Sequence, residues 1–231
     1  MSVTDLVEET VVVGRRTLSI RRPRDSEALL DEHAFEHEEY LPYWAELWPS
    51  GVALARRIAS RSLGGVRVVE LGCGLALPGI VAALAGARVL ATDWAPEALP
   101  LVAGNARRNR AALETMLASW TAPAPLVRRG PFDLVLGSDL LYEGRNVELL
   151  ALLLPQLVDE RGEALIADPD RPHAPRFLEA VRESFEVDSF RDRATPRVSI
   201  HRLRPRGDAE GHAARRASAS PSSSSPLRVD S

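Results

Sequence analysis

Three apolar runs in this 231-residue chain each carry an acidic residue at or near their carboxyl end, at spacings suited to holding a polar ligand. The first is Val68-Val69-Glu70-Leu71-Gly72-Cys73-Gly74-Leu75-Ala76-Leu77-Pro78-Gly79. A strand that runs into a glycine turn and then a helix lets the backbone approach a ligand that a Cβ would exclude. A helix N-terminus beside it favours a carboxylate. The second run, Arg88-Val89-Leu90-Ala91-Thr92, ends in Asp93. An acid about 20 positions beyond such a turn can accept hydrogen bonds from both hydroxyls of a ribose. A cap for the helix after Pro96 is the plainer role for the same residue. The third run, Phe132-Asp133-Leu134-Val135-Leu136-Gly137, delivers Ser138, Asp139 and Tyr142 at its end. Ligands of open α/β sheets sit at that end of the strands. A cap for the helix that begins near Gly144 is the plainer role for Asp139, but its coincidence with Gly72 and Gly74 favours a functional one.

A fourth segment, Leu41-Pro42-Tyr43-Trp44-Ala45-Glu46-Leu47-Trp48-Pro49-Ser50-Gly51, places two tryptophans within five residues. They either seal the open end of a sheet or roof a ligand, and an aromatic face suits a cation. Cys73 sits between two glycines with no histidine near it in sequence, so it reads as a small packing residue rather than a nucleophile. His33 and His37 stand one helical turn apart, but without further ligands they read as a solvated pair and no metal site is expected.

The elements that must position these residues follow from periodicity. Residues 10–22 alternate about Gly14 as a short hairpin would, and Ser50 can cap a helix over 51–60. Strands are predicted at 66–71, 88–92, 115–119, 132–137, 162–167, 185–190 and 197–203, with helices at 77–85, 96–110, 144–160 and 173–184. Strand–helix alternation implies a parallel sheet, and the short link 191–196 makes the last two strands an antiparallel hairpin at one edge. The expected fold is therefore α/β and Rossmann-like, a seven-stranded mostly parallel sheet with helices on both faces. The dinucleotide-binding variant fails on detail, because the third glycine of Gly-x-Gly-x-x-Gly is replaced by Leu77. The expected division is 1–60, an N-terminal hairpin with an aromatic and acidic segment packed on the core; 61–204, the sheet domain; and 205–231, a disordered tail too poor in apolar residues to fold.

Composition narrows the function. Apolar residues make up 45% of the chain, as in ordinary globular proteins, and the net charge of -3 argues against a general nucleic-acid binder. No apolar run is long enough to span a bilayer. The single cysteine cannot form an internal disulfide, so a cytoplasmic location is expected. A monomer without nucleic-acid or membrane partners is also expected. All 29 basic residues are arginine, so the chain offers no lysine side chain of its own. Asp25 to Glu46 is acidic and free of arginine, and its Asp25–Glu39 part would suit a basic protein partner but also an ordinary solvated face.

Taken together, Trp44–Gly51, Glu70–Gly79, Asp93, the Asn105/Asn109 helix, Trp120 and Asp139-x-x-Tyr142 resemble the class I, seven-stranded protein lysine methyltransferases of family 16 over residues 40–204. Tyr43-Trp44, Trp48-Pro49 and Asp168-Pro169-Asp170-Arg171-Pro172 look most like the branch that methylates the electron-transfer flavoprotein β-subunit. The resemblance implies S-adenosyl-L-methionine as cofactor, with contacts from Trp48, Glu70, Gly72, Cys73, Gly74, Asp93, Trp120 and Ser138. It makes Asp139 and Tyr142 the active-site pair. It implies transfer to nitrogen, on lysine of a protein such as that flavoprotein subunit or a ribosomal or translation protein. A small-molecule N- or O-methyltransferase, and a non-catalytic cofactor-binding scaffold, remain alternatives on the same fold. Two departures stand out: Ser119-Trp120 where relatives commonly show Asp-Trp, and Asp170 where the nearest branch more often has glycine.

The chemistry so implied has a definite obstacle. A lysine of pKa ~10.4 is only about 1 part in 2,500 neutral at pH 7, a cost of about 4.6 kcal/mol. A dry pocket and a neighbouring cation lower that cost, whereas a carboxylate such as Asp139 raises it. Asp139 is therefore expected to bind and orient the amine, not to act as a general base.

Overall fold

In the computed structural model, which describes residues 5–26 and 43–207, β1 (Leu6–Val13) and β2 (Arg16–Pro23) form a separate antiparallel hairpin with Val13 opposite Arg16. Its two-residue turn uses Gly14 at φ +60°, a conformation that favours glycine. Val11, Val13, Leu18 and Ile20 are buried in the core, so the alternation seen in the sequence gives the hairpin one apolar face. The open edge of β2 is closed by side chains. Asn105 accepts from the Arg21 amide at 2.8 Å and donates to its carbonyl at 2.9 Å; Asn109 does the same for Ser19 at 3.0 and 2.8 Å. Residues one helical turn apart thus meet strand positions two apart, and two amides stand in for a third strand.

The main sheet has the order β5-β4-β3-β6-β7-β9-β8. Its strands are β3 (Arg67–Leu71), β4 (Arg88–Asp93), β5 (Leu113–Leu117), β6 (Phe132–Ser138), β7 (Val158–Asp168), β8 (Phe185–Arg191) and β9 (Ser199–Pro205). The first five are parallel, and β9 runs antiparallel to both β7 and β8. Alternation along each strand splits the core between two faces. Val68, Leu134, Leu136 and Leu165 pack with α1 (Pro49–Ala59) and α2 (Leu77–Leu84), joined by Ala106 of α3 (Ala98–Arg108). Val69, Leu71, Val135 and Ile166 pack with Leu126 of the short α4 (Ala124–Val127), with α5 (Gly144–Leu157) and with α6 (Ala174–Val181). This is the seven-stranded sheet with helices on both sides that the sequence implies.

Three boundaries differ, each for a physical reason. Helix α1 begins at Pro49 with Trp48 at its N-cap, so Ser50 lies inside the first turn, buried, and caps nothing. Proline is preformed for that first position, and this outweighs the capping preference of serine. Helix α5 stops at Leu157 because Val158 already pairs with Phe132, so β7 starts four residues before Gly162. Strand β5 ends at Leu117, which leaves Ser119 and Trp120 in the following loop. The tail beyond 207, His33, His37 and most of the acidic segment lie outside the described residues.

Candidate active site

From β3 the sheet grows outward through β4 and β5, then the chain crosses back to lay β6 on the other side of β3. The strand order reverses between β3 and β6, and the crevice at their carboxyl ends is where ligands of such sheets bind. A cavity of about 310 Å3 opens there.

Its floor is the turn after β3. Gly72, Gly74 and Ala76 all have positive φ, at +53°, +50° and +57°. A Cβ on Gly72 would come within 2.8 Å of Leu140 Cδ2, and one on Gly74 within 3.0 Å of the Trp44 carbonyl oxygen. Both positions therefore need glycine for space as well as conformation. Cys73 between them lines the cavity but is buried, and burial pushes its thiol well above the usual range. It stays a thiol and is no nucleophile.

Glu70 corrects the expectation for this segment. It shares a face of β3 with Val68, so its side chain turns under α2, where Oε2 accepts from the Gly79 amide at 2.9 Å. It does not line the cavity. The donor at the start of α2 that was expected to face a ligand carboxylate is thus taken by the chain's own acid. Burial pushes Glu70 up to about 8, against the lowering effect of the Gly79 hydrogen bond.

Asp93 forms one wall. Its Oδ2 accepts from the Gly74 amide at 2.8 Å and its Oδ1 from the Ala95 amide at 3.0 Å. It therefore braces the turn, and it does not cap α3, whose N-cap is Glu97. Burial raises its pKa, opposed by those backbone hydrogen bonds. Beside it stands Trp94, an aromatic that sequence reading passed over, 43% exposed and lining the same cavity. Its signal was available: a bulky ring directly after the strand-tip acid. Ser119, Trp120 and Thr121 supply the adjoining wall; the Ser119 hydroxyl lies 2.8 Å from that of Thr121.

Over the other side, Ser138, Asp139 and Tyr142 follow β6, and Tyr43, Trp44 and Trp48 come from the segment before α1. The Trp48 indole donates to the Tyr43 carbonyl at 2.8 Å, and the Tyr43 ring meets Tyr142 edge-on at 5.2 Å. Of the sequence-predicted site residues, Trp48, Gly72, Cys73, Gly74, Asp93, Trp120, Ser138, Asp139 and Tyr142 are brought together here, and Glu70 is not.

A second, smaller cavity of about 220 Å3 adjoins the first, lined by Tyr43, Trp48, Asp139, Tyr142, Glu143 and Arg171. Asp139 is nearly buried and has φ +57°. Its amide donates to the Ala167 carbonyl and its Oδ1 accepts from Arg171 Nε at 2.8 Å, while its Oδ2 has no partner among the described residues. It does not cap α5, whose N-cap is Glu143. Tyr142 is pushed up to about 12, first by burial and then by the Glu143 charge, so its hydroxyl keeps its proton.

Arg171 is the second residue that sequence reading left without a role. It is carried by the loop after β7, where Asp168 Oδ1 accepts from the Arg171 amide at 2.8 Å. Burial, with the Asp139 charge adding to it, pushes Asp168 up to about 6. Asp170 has φ +62°, which explains why glycine suits this position, and aspartate is among the residues that tolerate it. Its carboxylate also receives Arg191 at 2.8 Å.

The chain is similar to known proteins over the part that carries these elements. A family profile described as lysine methyltransferase matches residues 35–184. The protein N-lysine methyltransferase METTL21A of Danio rerio is 34% identical over 161 residues, 64% of this chain and 73% of that protein. The electron transfer flavoprotein beta subunit lysine methyltransferase of Xenopus laevis is 36% identical over 136 residues, 56% of this chain and 53% of that one. The histone-arginine methyltransferase METTL23 of Xenopus laevis is 33% identical over 130 residues, 53% and 55% respectively. The chain thus spans about half the length of the last two. In fold, it resembles the Thermus thermophilus 16S rRNA N2 G1207 methyltransferase solved with AdoMet and guanosine, at TM-score 0.64 and 13% identity over 88% of this chain and 51% of that one. No helix among the described residues is long and apolar enough to cross a membrane. On the match over 35–184, this chain belongs to the lysine methyltransferase family.

Proposed function

We propose that the chain transfers a methyl group from S-adenosylmethionine to a lysine side chain of a protein substrate. The observation that carries this reading is the pair of adjoining cavities that share Tyr43, Trp48, Asp139 and Tyr142. The larger fits a nucleoside with an amino-acid arm: Asp93 for the ribose, Trp94 and Trp120 as aromatic faces, and the Gly72–Gly74 turn as its floor. The smaller, walled by three aromatic rings and two carboxylates, fits an alkylamine.

When bound, the cofactor supplies an activated methyl group on a sulfonium centre. The chain's part is to bind, orient and exclude water. Asp139 Oδ2, buried and unpartnered, can accept an N–H of the amine and hold its lone pair in one direction. Tyr142, kept as a phenol, and the rings of Tyr43 and Trp48 cover the approach. An acceptor that enters as ammonium must first shed one proton to water, because the lone pair freed in this way is the one that would take the methyl group as its bond to sulfur breaks.

Among substrates, a lysine of a folded protein is favoured, on the strength of the METTL21A and flavoprotein-subunit relatives. The single cysteine supports a reducing, cytoplasmic setting. Incubation of the full chain with methyl-labelled cofactor and a cell lysate, followed by size separation and amino-acid analysis, tests the reading. Label as methyllysine in a discrete protein band is expected. Label confined to small molecules overturns it, and methylarginine would favour an activity like that of the histone-arginine relative.

A further inference from the structure

Both carboxylates that line the smaller cavity are matched by arginines. Arg171 Nε donates to Asp139 at 2.8 Å, and Arg145 Nε lies 2.5 Å from Glu143. The Arg171 guanidinium also lies 5.9 Å from the centre of the Trp48 ring, within the aromatic wall itself. A cavity built only to attract a cation would leave its acids unmatched. Here each lining acid has an arginine partner, although the family's acceptor arrives as an ammonium ion and must react as a neutral amine.

We infer that Arg171 is a positioning residue that sets the charge of the acceptor cavity: by holding Asp139 Oδ1 it cancels the carboxylate's pull on an ammonium ion, so the entering amine can give up its proton there. The inference rests on the amine-acceptor reading above. Oδ2 of Asp139, which has no partner, remains to align the nitrogen. The neighbouring groups do not supply the same charge. Asp168 accepts from the Arg171 amide and its own charge also acts on that guanidinium, Asp170 is paired with Arg191, the Tyr142 phenol keeps its proton, and Asp93 lines the larger cavity; none of them is a cation. Removing the Arg171 charge would therefore leave Asp139 unbalanced. The loop geometry around Asp168 and Asp170 serves to bring this one guanidinium back over a carboxylate 32 residues away.

The test uses n-butylamine, the lysine side chain alone, with 1-butanol as its permanently neutral counterpart, measured by calorimetry on the full chain at pH 7. An arginine about 6 Å from the amine shifts its proton equilibrium by roughly 1–2 pH units at the effective dielectric of a protein site. Arg171→Gln should thus bind n-butylammonium about tenfold or more tightly than wild type, with 1-butanol unchanged. Arg171→Lys, which keeps the charge, should stay near wild type. On a labelled protein acceptor, Arg171→Gln should move the acid limb of the single-turnover pH profile upward by roughly one unit, so that binding improves while turnover at pH 7 falls. General structural damage would weaken both ligands and both measurements together, and that result overturns the inference. So does unchanged or weaker ammonium binding, or no saturable n-butylamine binding in any form. Absence of a labelled protein in lysate would defeat the protein-lysine reading, while the comparison of the two small ligands still decides the role of Arg171.

Discussion

The amide of Gly74 donates to Asp93 Oδ2 at 2.8 Å, so the glycine turn after one strand is held by the acid at the tip of the next. The same carboxylate takes the Ala95 amide on its other oxygen. Asp93 thus braces the cavity floor and is itself one of the residues that line the cavity. On the ribose contact proposed for Asp93, Asp93→Ala should lose two charge-assisted hydrogen bonds, at a cost of about 2–4 kcal/mol or roughly 30- to 1,000-fold in cofactor affinity. Calorimetry with S-adenosylmethionine reads this directly, and wild-type affinity in the variant would remove Asp93 from the ribose site.

Gly74→Ala tests the turn from the opposite direction. At φ +50° an L-residue carries a penalty of about 1–2 kcal/mol, and its Cβ would press on the Trp44 carbonyl oxygen, a backbone atom with little freedom to yield. Since Trp44 and Gly74 line the same cavity, the variant should bind cofactor about tenfold or more weakly and melt several degrees lower. Unchanged affinity and melting would mean that the segment before α1 shifts freely.

Glu70 predicts a pH dependence of stability. Its pKa is raised from 4.5 to about 8, with burial as the cause. A raised value means that this group's contribution is complete below about 4.5 and is lost as pH climbs to about 8, because the unfolded chain releases the proton first. Across that window its contribution has a limiting slope of about 1.4 kcal/mol per pH unit. Glu70→Gln keeps an acceptor for the Gly79 amide and has no proton to release. Urea unfolding between pH 5 and 9 should show the variant gaining on wild type as pH rises. Parallel curves would mean that the Glu70 carboxyl titrates at its ordinary value.

Much of this architecture is written locally. The runs 68–71, 88–92 and 132–137 are apolar with few interruptions, as strands covered on both faces must be, and the folded strands coincide with them within a residue or two. The hairpin was legible because Val11, Val13, Leu18 and Ile20 alternate about a glycine. Glu70 was misplaced although its signal was present: it alternates with Val68, which fixes it on the α2 side of the sheet. Apolar spacing extends α5 to 160 because it does not show where pairing with Phe132 takes over. The contact of Arg171 with Asp139 had no local signal at all. It depends on a left-handed residue, an aspartate that folds the loop on itself and a side chain reaching across the sheet end.

Asp139→Asn bears most directly on how the two cavities divide their labour. Asparagine tolerates the left-handed backbone at this position, and its side-chain oxygen can still accept from Arg171. The shape therefore survives while the negative charge is lost. Asp139 lines both cavities, but its unpartnered oxygen serves the acceptor in the reading above. Cofactor affinity should accordingly change by less than about 1 kcal/mol. Single-turnover methylation should fall by about 100-fold or more, a loss of roughly 3 kcal/mol that falls mainly on the transition state. Some stability should go as well, on the order of 1 kcal/mol, since the paired guanidinium is about one-third exposed and solvent recovers part of what the ion pair contributed. A cap for α5 is no longer a competing role, because Glu143 holds that position and Asn146 satisfies the Leu140 carbonyl at 2.9 Å. Binding, melting and single-turnover rate, measured on the one variant, then separate the remaining cases. If affinity for the cofactor collapses in step with the rate, Asp139 belongs to the larger cavity and the acceptor must be oriented by another group. If neither changes, the pair of Asp139 and Arg171 is a structural tie, and the proposed division of the site is wrong.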